Sequence, residues 1–211
     1  MNVNTLLPAS GVGFVTNNRG PSGKFQFGQK STIDAAKAVG TAWHELNADH
    51  PFSIGQISLK GGGVMPPHHS HRVGLDVDVR PMRTDGANQP VNITDSAYDR
   101  AATTALITLW WKKAPVQSLF FNDPTVIAAG LSQFVNGHHH HFHARLRARG
   151  ATIRIGDRGS DVAEVQAKLG LEPDGRFGPV TQDAVEQFQT EHDLVPDGVV
   201  GPKTWAALGI L

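Results

Sequence analysis

The sequence predicts an α+β domain with a small antiparallel sheet, followed by a small all-α domain of three helices. Two observations predict this division. Helical and strand-like hydrophobic patterns alternate between residues 31 and 146, and a stretch further along repeats itself after 23 residues. We place the domains at residues 1–147 and 153–211, joined by a linker at 148–152. A chain of 211 residues is long enough for two small domains with cores of their own.

The first domain begins with about 30 residues rich in Gly, Asn, Pro and Ser, which predict irregular structure. Three later stretches have helical periodicity and predict helices at about 31–47, at about 96–113 and shortly after Pro124. Four other stretches predict strands, at residues 52–59, 75–80, 119–121 and 141–146.

The predicted strand at 75–80 alternates between apolar and charged residues. Leu75, Val77 and Val79 share one parity, whereas Asp76 and Asp78 have the other. Because successive side chains of a strand point to opposite faces, we expect buried valines and two aspartates directed to the other face.

The second domain contains the internal repeat. Asp174–Thr181 recurs as Asp197–Thr204, and each copy predicts a helix, a glycine-rich turn and the start of the next helix. The glycines permit positive φ in the turn. We expect Thr181 and Thr204 to cap the helices that follow.

Composition excludes several classes of partner and site. Lys plus Arg equals Asp plus Glu at 19 each, so no net charge attracts nucleic acid or an anionic membrane. The absence of cysteine excludes disulfides and thiolate zinc sites. The start of the chain has no signal-peptide pattern, and no stretch approaches the roughly 20 apolar residues of a membrane span. We expect a monomer without nucleic-acid or membrane partners.

Eight of the eleven histidines lie in residues 67–78 and 138–143. Imidazoles with a carboxylate are the ligands of catalytic zinc sites. His71 and Asp78 can meet at one cation, and a histidine of the His141-x-His143 pair can supply a third ligand from a second strand. An affinity tag is disfavoured as the explanation of the four consecutive histidines, His138–His141, because they lie inside the chain. A structural zinc site is disfavoured because such sites usually close with four ligands.

These motifs resemble a known family. Residues 70–78 (SHRVGLDVD) together with His138-x-x-His141-x-His143 resemble the penicillin-insensitive murein endopeptidases, zinc peptidases related to the D-Ala-D-Ala carboxypeptidases. The similarity runs from about residue 27 to 146 and includes Gly61–Gly63 and Phe120–Pro124. The resemblance implies that His71, Asp78 and His143 hold zinc, and that His68, His138 and His141 line the cleft around it. Asp76 is a competing ligand by chemistry; the resemblance favours Asp78 and leaves Asp76 a supporting role.

One departure from the related carboxypeptidases concerns the general base. They carry a Glu or Asp shortly before their His-x-His, whereas residues 132–143 contain no carboxylate. We therefore expect an imidazole as the base, with His141 the first choice and His138 the second, because a pKa near about 6.5 suits proton transfer at neutral pH. His69, His139 and His140 receive no role.

Residues 153–211 resemble the peptidoglycan-binding domain of cell-wall hydrolases. Together the two resemblances imply a zinc endopeptidase that cuts the D-alanyl–meso-diaminopimelate cross-link of bacterial peptidoglycan. Without a signal peptide, we expect a phage endolysin made in the cytoplasm and released by a holin, with a bacterial enzyme exported by another route as the alternative origin. Alternative functions are a D-Ala-D-Ala carboxypeptidase, an L-alanyl-D-glutamate endopeptidase and a non-catalytic wall-binding protein.

Overall fold

The computed structural model describes residues 2–66 and 68–210; Met1, Pro67 and Leu211, which belong to ranges discussed above, lie outside the described residues. By its contacts the chain divides into two compact units. The first consists of residues up to Ala114 together with Ser118–Leu146. The second consists of Pro115–Gln117 together with the residues from Arg147 onward.

The chain is a mixed α/β protein, as predicted, with small sheets and six α-helices among the described residues. The strands are β1 (Thr5–Leu6), β2 (Ser10–Gly11), β3 (Phe14–Thr16), β4 (Phe27–Gly28), β5 (Phe52–Ile54), β6 (Asp76–Val79), β7 (Val116–Phe120) and β8 (Phe142–Leu146). The helices are α1 (Lys30–Leu46), α2 (Arg100–Lys113), α3 (Pro124–Ala128), α4 (Ser160–Lys168), α5 (Pro179–Glu191) and α6 (Pro202–Ala207). Within the part of the chain that the structure describes, no helix is both long and apolar enough to cross a bilayer.

The main sheet corrects the expectation of a small antiparallel sheet. It has six strands in the order β2-β3-β5-β6-β8-β7, and β3 pairs with β5 in parallel. Helix α1 lies between these two strands along the chain and provides the long connection that parallel pairing needs. The strands within the first 30 residues were missed because pieces of two or three residues are too short to show a period of two.

The central pair β6 and β8 positions the charged residues. The register is antiparallel and sets Asp76 opposite Arg145 and Asp78 opposite His143. Val77 and Val79 are buried as predicted, but Asp76 and Asp78 are buried too, with 0% and 8% of their surface exposed. The face that carries the two aspartates is therefore buried as well, and their carboxylates need partners within the protein.

The core of the first unit lies between the sheet and helices α1 and α2. Trp110 of α2 packs edge-on against Phe52 of β5 and Phe142 of β8. Trp43 of α1 is fully buried, and its indole nitrogen donates a hydrogen bond to the carbonyl oxygen of His50. This packing holds β5, β6 and β8 as a rigid base under the histidine segments.

Several element boundaries differ from the predictions. Helix α2 begins at Arg100 because Asp99 caps it, its side chain accepting a hydrogen bond from the backbone nitrogen of Ala102. Strand β5 ends at Ile54, short of the predicted residue 59. The next residue, Gly55, lies against Asp78, where an added Cβ would come within 3.2 Å of the Asp78 Cβ.

In the second unit, the residues of the repeat form a core around two buried glutamines. The buried apolar residues are Ile153, Val162, Val165, Phe177, Val185, Val200, Trp205, Leu208 and Ile210. Gln166 Nε2 donates to Asp174 Oδ1 at 2.8 Å, and Gln166 Oε1 accepts from the backbone nitrogen of Gly175 at 2.8 Å. Gln189 repeats both bonds 23 residues later, at 2.9 Å to Asp197 Oδ1 and 3.0 Å from the Gly198 nitrogen.

The predicted capping role of Thr181 and Thr204 was wrong. Helices α5 and α6 begin at Pro179 and Pro202, with glycines at the capping positions, so both threonines lie inside the first turn. Their hydroxyls instead accept hydrogen bonds from the two glutamines, at 3.0 Å and 3.2 Å. The repeat therefore encodes a buried hydrogen-bond network where the sequence suggested a helix cap.

We predict that Gln189→Ala destabilises the second unit by about 1–3 kcal/mol, because it leaves buried groups of the turn without partners. The matched control is Gln187→Ala, whose exposed side chain bonds only Glu191 on the same helix. Hydrogen exchange of residues 179–207 in the full chain measures the effect. Equal loss of protection in the two variants would contradict a structural role for the glutamine network.

Candidate metal centre

The two histidine segments meet at one carboxylate. Asp78 Oδ1 lies 3.2 Å from His71 Nε2 and 3.1 Å from His143 Nδ1. Asp78 and His143 are direct cross-strand partners on β6 and β8, while His71 comes from the loop before β6. The structure therefore brings together the three residues that the sequence predicts as metal ligands.

Gly74 allows the loop to approach β6 closely. Its φ is +67°, and an added Cβ would lie 2.9 Å from the backbone nitrogen of Gln29. Its carbonyl oxygen accepts hydrogen bonds from that nitrogen, at 3.1 Å, and from Thr32 Oγ1, at 2.7 Å. The loop that carries His71 is thus anchored to the start of α1.

The ring of His71 has one nitrogen with a hydrogen-bond partner and one without among the described residues. Its Nδ1 lies 2.7 Å from the carbonyl oxygen of Ile57, which only accepts, so Nδ1 carries the hydrogen. In the neutral ring Nε2 then has a lone pair; it is buried and has no hydrogen-bond partner among residues 2–66 and 68–210. This lone pair faces Asp78 Oδ1 across 3.2 Å, and only a proton or a metal cation makes such a pairing favourable. These donors fit a divalent cation such as zinc.

His143 lies between two carboxylates. Its Nε2 is 2.9 Å from Asp76 Oδ1, and its Nδ1 is 3.1 Å from Asp78 Oδ1. Asp76 is fully buried and also accepts a hydrogen bond from Arg145 Nη1 at 3.3 Å. Asp76 is thus placed to accept a hydrogen bond from His143 Nε2, which leaves Nδ1 directed at Asp78 and His71. This arrangement supports a role for Asp76 in orienting His143 rather than in binding the metal itself.

The pKa shifts follow from the close packing of imidazoles and carboxylates in this cluster. Burial alone would raise the pKa of Asp78, but its hydrogen bond with His143 and the closeness of the His71 ring lower that pKa far below its ordinary value. Burial opposes the charged form of His143 as well, yet the contacts with Asp76 and Asp78 raise its pKa to about 9. The raised pKa keeps the His143 ring protonated at neutral pH, between the two carboxylates.

His68 offers an alternative third ligand. Its Nδ1 lies 3.9 Å from Asp78 Oδ2, and its Nε2 is 2.5 Å from Gln56 Oε1. Ligand atoms of His68, His71 and Asp78 all lie within 4.8 Å of one another. His143 Nδ1 is closer to Asp78 than His68 Nδ1 is, but the group of ligand atoms within 4.8 Å of one another consists of His68, His71 and Asp78, so both histidines stay candidates for the third ligand.

His141 and His138 are the candidate bases. His141 Nε2 lies 3.7 Å from Asp78 Oδ1, and burial lowers the pKa of His141 to about 4, so its ring is neutral at pH 7. Burial also lowers the pKa of His138, whose ring lies 4.8 Å from that of His141 and 5.8 Å from that of His143. The structure thus places His141 close to the Asp78 carboxylate, whereas His138 lies next to the rings of His141 and His143.

The centre opens into a cleft of about 330 Å³. Besides His140, which received no role, sequence reasoning missed seven of its lining residues, which are Asn17, Asn18, Gly55, Gln56, Val79, Arg80 and Pro90. Arg80 had a signal, since it continues the alternation of Asp76 and Asp78 by two residues. Asn17 and Gln56 had no such signal in the sequence, because their segments carry no motif. They line the cleft only because the folded sheet brings those segments together. His69 is exposed.

Comparison with known proteins identifies one segment of the chain. Residues 158–208 match the peptidoglycan binding domain family. The chain is 57% identical over 42 residues to an uncharacterized protein in the bpoA1 3' region of Kitasatospora aureofaciens, covering 20% of this chain and 36% of that protein. It is 36% identical over 62 residues to a zinc D-Ala-D-Ala carboxypeptidase of Streptomyces albus G, covering 26% of this chain and 24% of that protein. The chain thus spans about a third and a quarter of these relatives.

Solved structures resemble parts of the chain. A peptidoglycan-binding protein from Clostridioides difficile is 35% identical, with a TM-score of 0.29, over 30% of this chain and 43% of the other. The Burkholderia AP3 phage endolysin is 48% identical, with a TM-score of 0.27, over 28% of this chain and 24% of the other. A fused zinc-dependent amidase/peptidase/peptidoglycan-binding protein from Clostridium acetobutylicum is 38% identical, with a TM-score of 0.27, over 28% and 29%.

We predict that His71→Ala and His143→Ala each lower zinc affinity by at least about 100-fold, since each removes one of three ligands. Titration of the metal-free full chain with zinc, followed by calorimetry, measures this. His69→Ala is the matched control, because its exposed ring belongs to the same loop. If His143→Ala keeps full affinity while His68→Ala loses it, the third ligand is His68.

Proposed function

We propose that this protein is a zinc-dependent endopeptidase that cleaves the D-alanyl–meso-diaminopimelate cross-link of bacterial peptidoglycan. One observation carries the proposal: two imidazoles from segments far apart in sequence converge on Asp78 Oδ1, at 3.2 Å and 3.1 Å. Three such ligands leave a coordination position for water or substrate, which distinguishes catalytic from structural zinc sites.

The surrounding residues support hydrolysis. When bound, zinc lowers the pKa of water and polarises the scissile carbonyl. His141 Nε2 lies 3.7 Å from Asp78 Oδ1, so by position it is the first choice to accept the proton and later deliver it to the leaving amine. Burial lowers its pKa to about 4, which keeps the ring neutral at pH 7 but makes it a weaker base than an imidazole with its ordinary pKa. His138 is the second choice. His68 is the candidate donor to the tetrahedral oxyanion in its protonated form, because in the neutral ring its hydrogen lies on Nε2 and is donated to Gln56 Oε1.

The second unit supports the cell wall as the site of action. Residues 158–208 match the peptidoglycan binding domain family. A wall-binding unit attached to a hydrolase raises the effective concentration of the enzyme at an insoluble polymer. We propose that the protein acts as a monomer on peptidoglycan after release from the cytoplasm, as phage endolysins do.

A D-Ala-D-Ala carboxypeptidase is the second candidate, because one relative of part of the chain bears that name. The absence of a carboxylate in residues 132–143 argues against it, and equally against an L-alanyl-D-glutamate endopeptidase. A non-catalytic wall-binding protein is disfavoured by the buried Nε2 of His71, which has no hydrogen-bond partner among the described residues and faces Asp78 Oδ1 at 3.2 Å.

We predict that purified walls incubated with the zinc-loaded protein release fragments with new D-alanine carboxyl and diaminopimelate amino ends. Mass spectrometry of the muropeptides identifies the bond, and a chelator should stop the reaction. His141→Ala should bind zinc normally and lose about 100-fold or more in rate, since general base catalysis contributes roughly that much. Release of free D-alanine would instead establish the carboxypeptidase, and wall binding without any fragments would establish the non-catalytic alternative.

Removal of residues 152–211 should weaken binding to walls by about 100-fold or more, while cleavage of soluble cross-linked peptides changes little. Pelleting with insoluble walls measures the first effect, and turnover of soluble peptides measures the second. Circular dichroism checks that the remaining unit is folded. Unchanged pelleting would show that the second unit does not anchor the protein.

A further inference from the structure

Arg80 is a charged side chain in the cleft that the mechanism does not use. It follows β6 directly and continues the face that carries Asp76 and Asp78, since residues two apart on a strand share a side. It lines the same cleft as His68 and His141. Extending the β6–β8 register by one residue sets Arg80 opposite His141.

The guanidinium of Arg80 has spare hydrogen-bond donors. Nη1 donates to the carbonyl oxygen of Asn88 at 3.3 Å, which leaves most of its five N–H groups for other acceptors. Throughout residues 2–66 and 68–210, no carboxylate forms an ion pair with it, whereas neighbouring arginines have one. Arg83 pairs with Asp85 at 2.5 Å, and Arg145 pairs with Asp76 at 3.3 Å.

Arg80 lies within side-chain reach of the residue that would follow a scissile carbonyl held near Asp78. Residues two apart on a strand are about 6.6 Å apart, so Arg80 starts at that distance from the metal ligand Asp78. In a peptide with its scissile carbonyl at the metal, the next residue begins within about 3.8 Å of the preceding one. A carboxylate on that residue is therefore within reach of a long arginine side chain.

We infer that Arg80 binds a free carboxylate on the carbon that carries the leaving amine of the substrate. This inference rests on the proposed function and adds a substrate class. In the D-alanyl–meso-diaminopimelate cross-link that carbon bears a free carboxylate, and in amidated peptidoglycan it bears a neutral carboxamide. Arginine recognises planar carboxylates through two parallel hydrogen bonds, which a carboxamide cannot match. The protein therefore selects walls whose diaminopimelate is not amidated.

The competing explanation is that Arg80 only fastens the loop that contains Asn88. A structural role predicts that replacing Arg80 affects all substrates alike, whereas recognition predicts that only the carboxylate substrate is affected. The two explanations therefore differ in selectivity rather than in activity.

The test uses two soluble cross-linked peptides that differ only in carboxylate or carboxamide at this carbon. The wild-type full chain, loaded with zinc, should cleave the carboxylate peptide with a kcat/KM about 10- to 100-fold higher, the range of a charged hydrogen-bonded pair. Arg80→Met should abolish this preference by slowing cleavage of the carboxylate peptide alone, and Arg80→Lys should restore part of it. Arg83→Met is the control, since Arg83 also bonds the same loop, at the carbonyl oxygen of Pro90.

Binding of the two product peptides, measured by calorimetry, separates this inference from the proposed function. If neither peptide is cleaved but the carboxylate product binds more tightly, and Arg80→Met removes that difference, the inference holds and the endopeptidase proposal fails. Cleavage of both peptides at equal rates, or equal slowing of both by Arg80→Met, overturns the inference and leaves the endopeptidase proposal intact. Absence of both cleavage and binding overturns both.

Discussion

The pairing of Asp78 with His143 across β6 and β8 is the contact on which the candidate centre depends. It joins residues 65 positions apart at 3.1 Å, in a register that the buried valines of β6 and Phe142 of β8 hold in place. A slip of one residue would turn every side chain of the strand to the other face and separate the two groups. The hydrophobic core therefore sets the geometry of the polar cluster.

Around that pair, each ring is oriented by a group outside the cluster. Ile57 orients His71, Asp76 orients His143, and Gln56 orients His68. Each contact engages one nitrogen of the ring and leaves the other nitrogen directed at Asp78. The site is thus prearranged by the backbone and by side chains around it, which limits the reorganisation needed when a cation or substrate binds.

Sequence reasoning located the helices, the strands of the central pair and the histidine segments, because these carry strong periodicity or rare residue types. Sequence reasoning failed where the structure depends on contacts between residues far apart in the chain. The parallel pairing of β3 with β5 depends on strands of three residues, too short to show alternation. Gln56 and Asn17 reach the cleft only through tertiary structure, and Thr181 bonds a glutamine fifteen residues earlier instead of its own helix end.

The paired glutamine networks of the second unit have a consequence for how this module can vary in length. Each glutamine reaches an aspartate eight positions later, at 2.8 Å in one copy and 2.9 Å in the other. An insertion or deletion inside either interval would pull the aspartate out of register and break several buried bonds together. This module can therefore change its length without losing these bonds only outside residues 166–174 and 189–197.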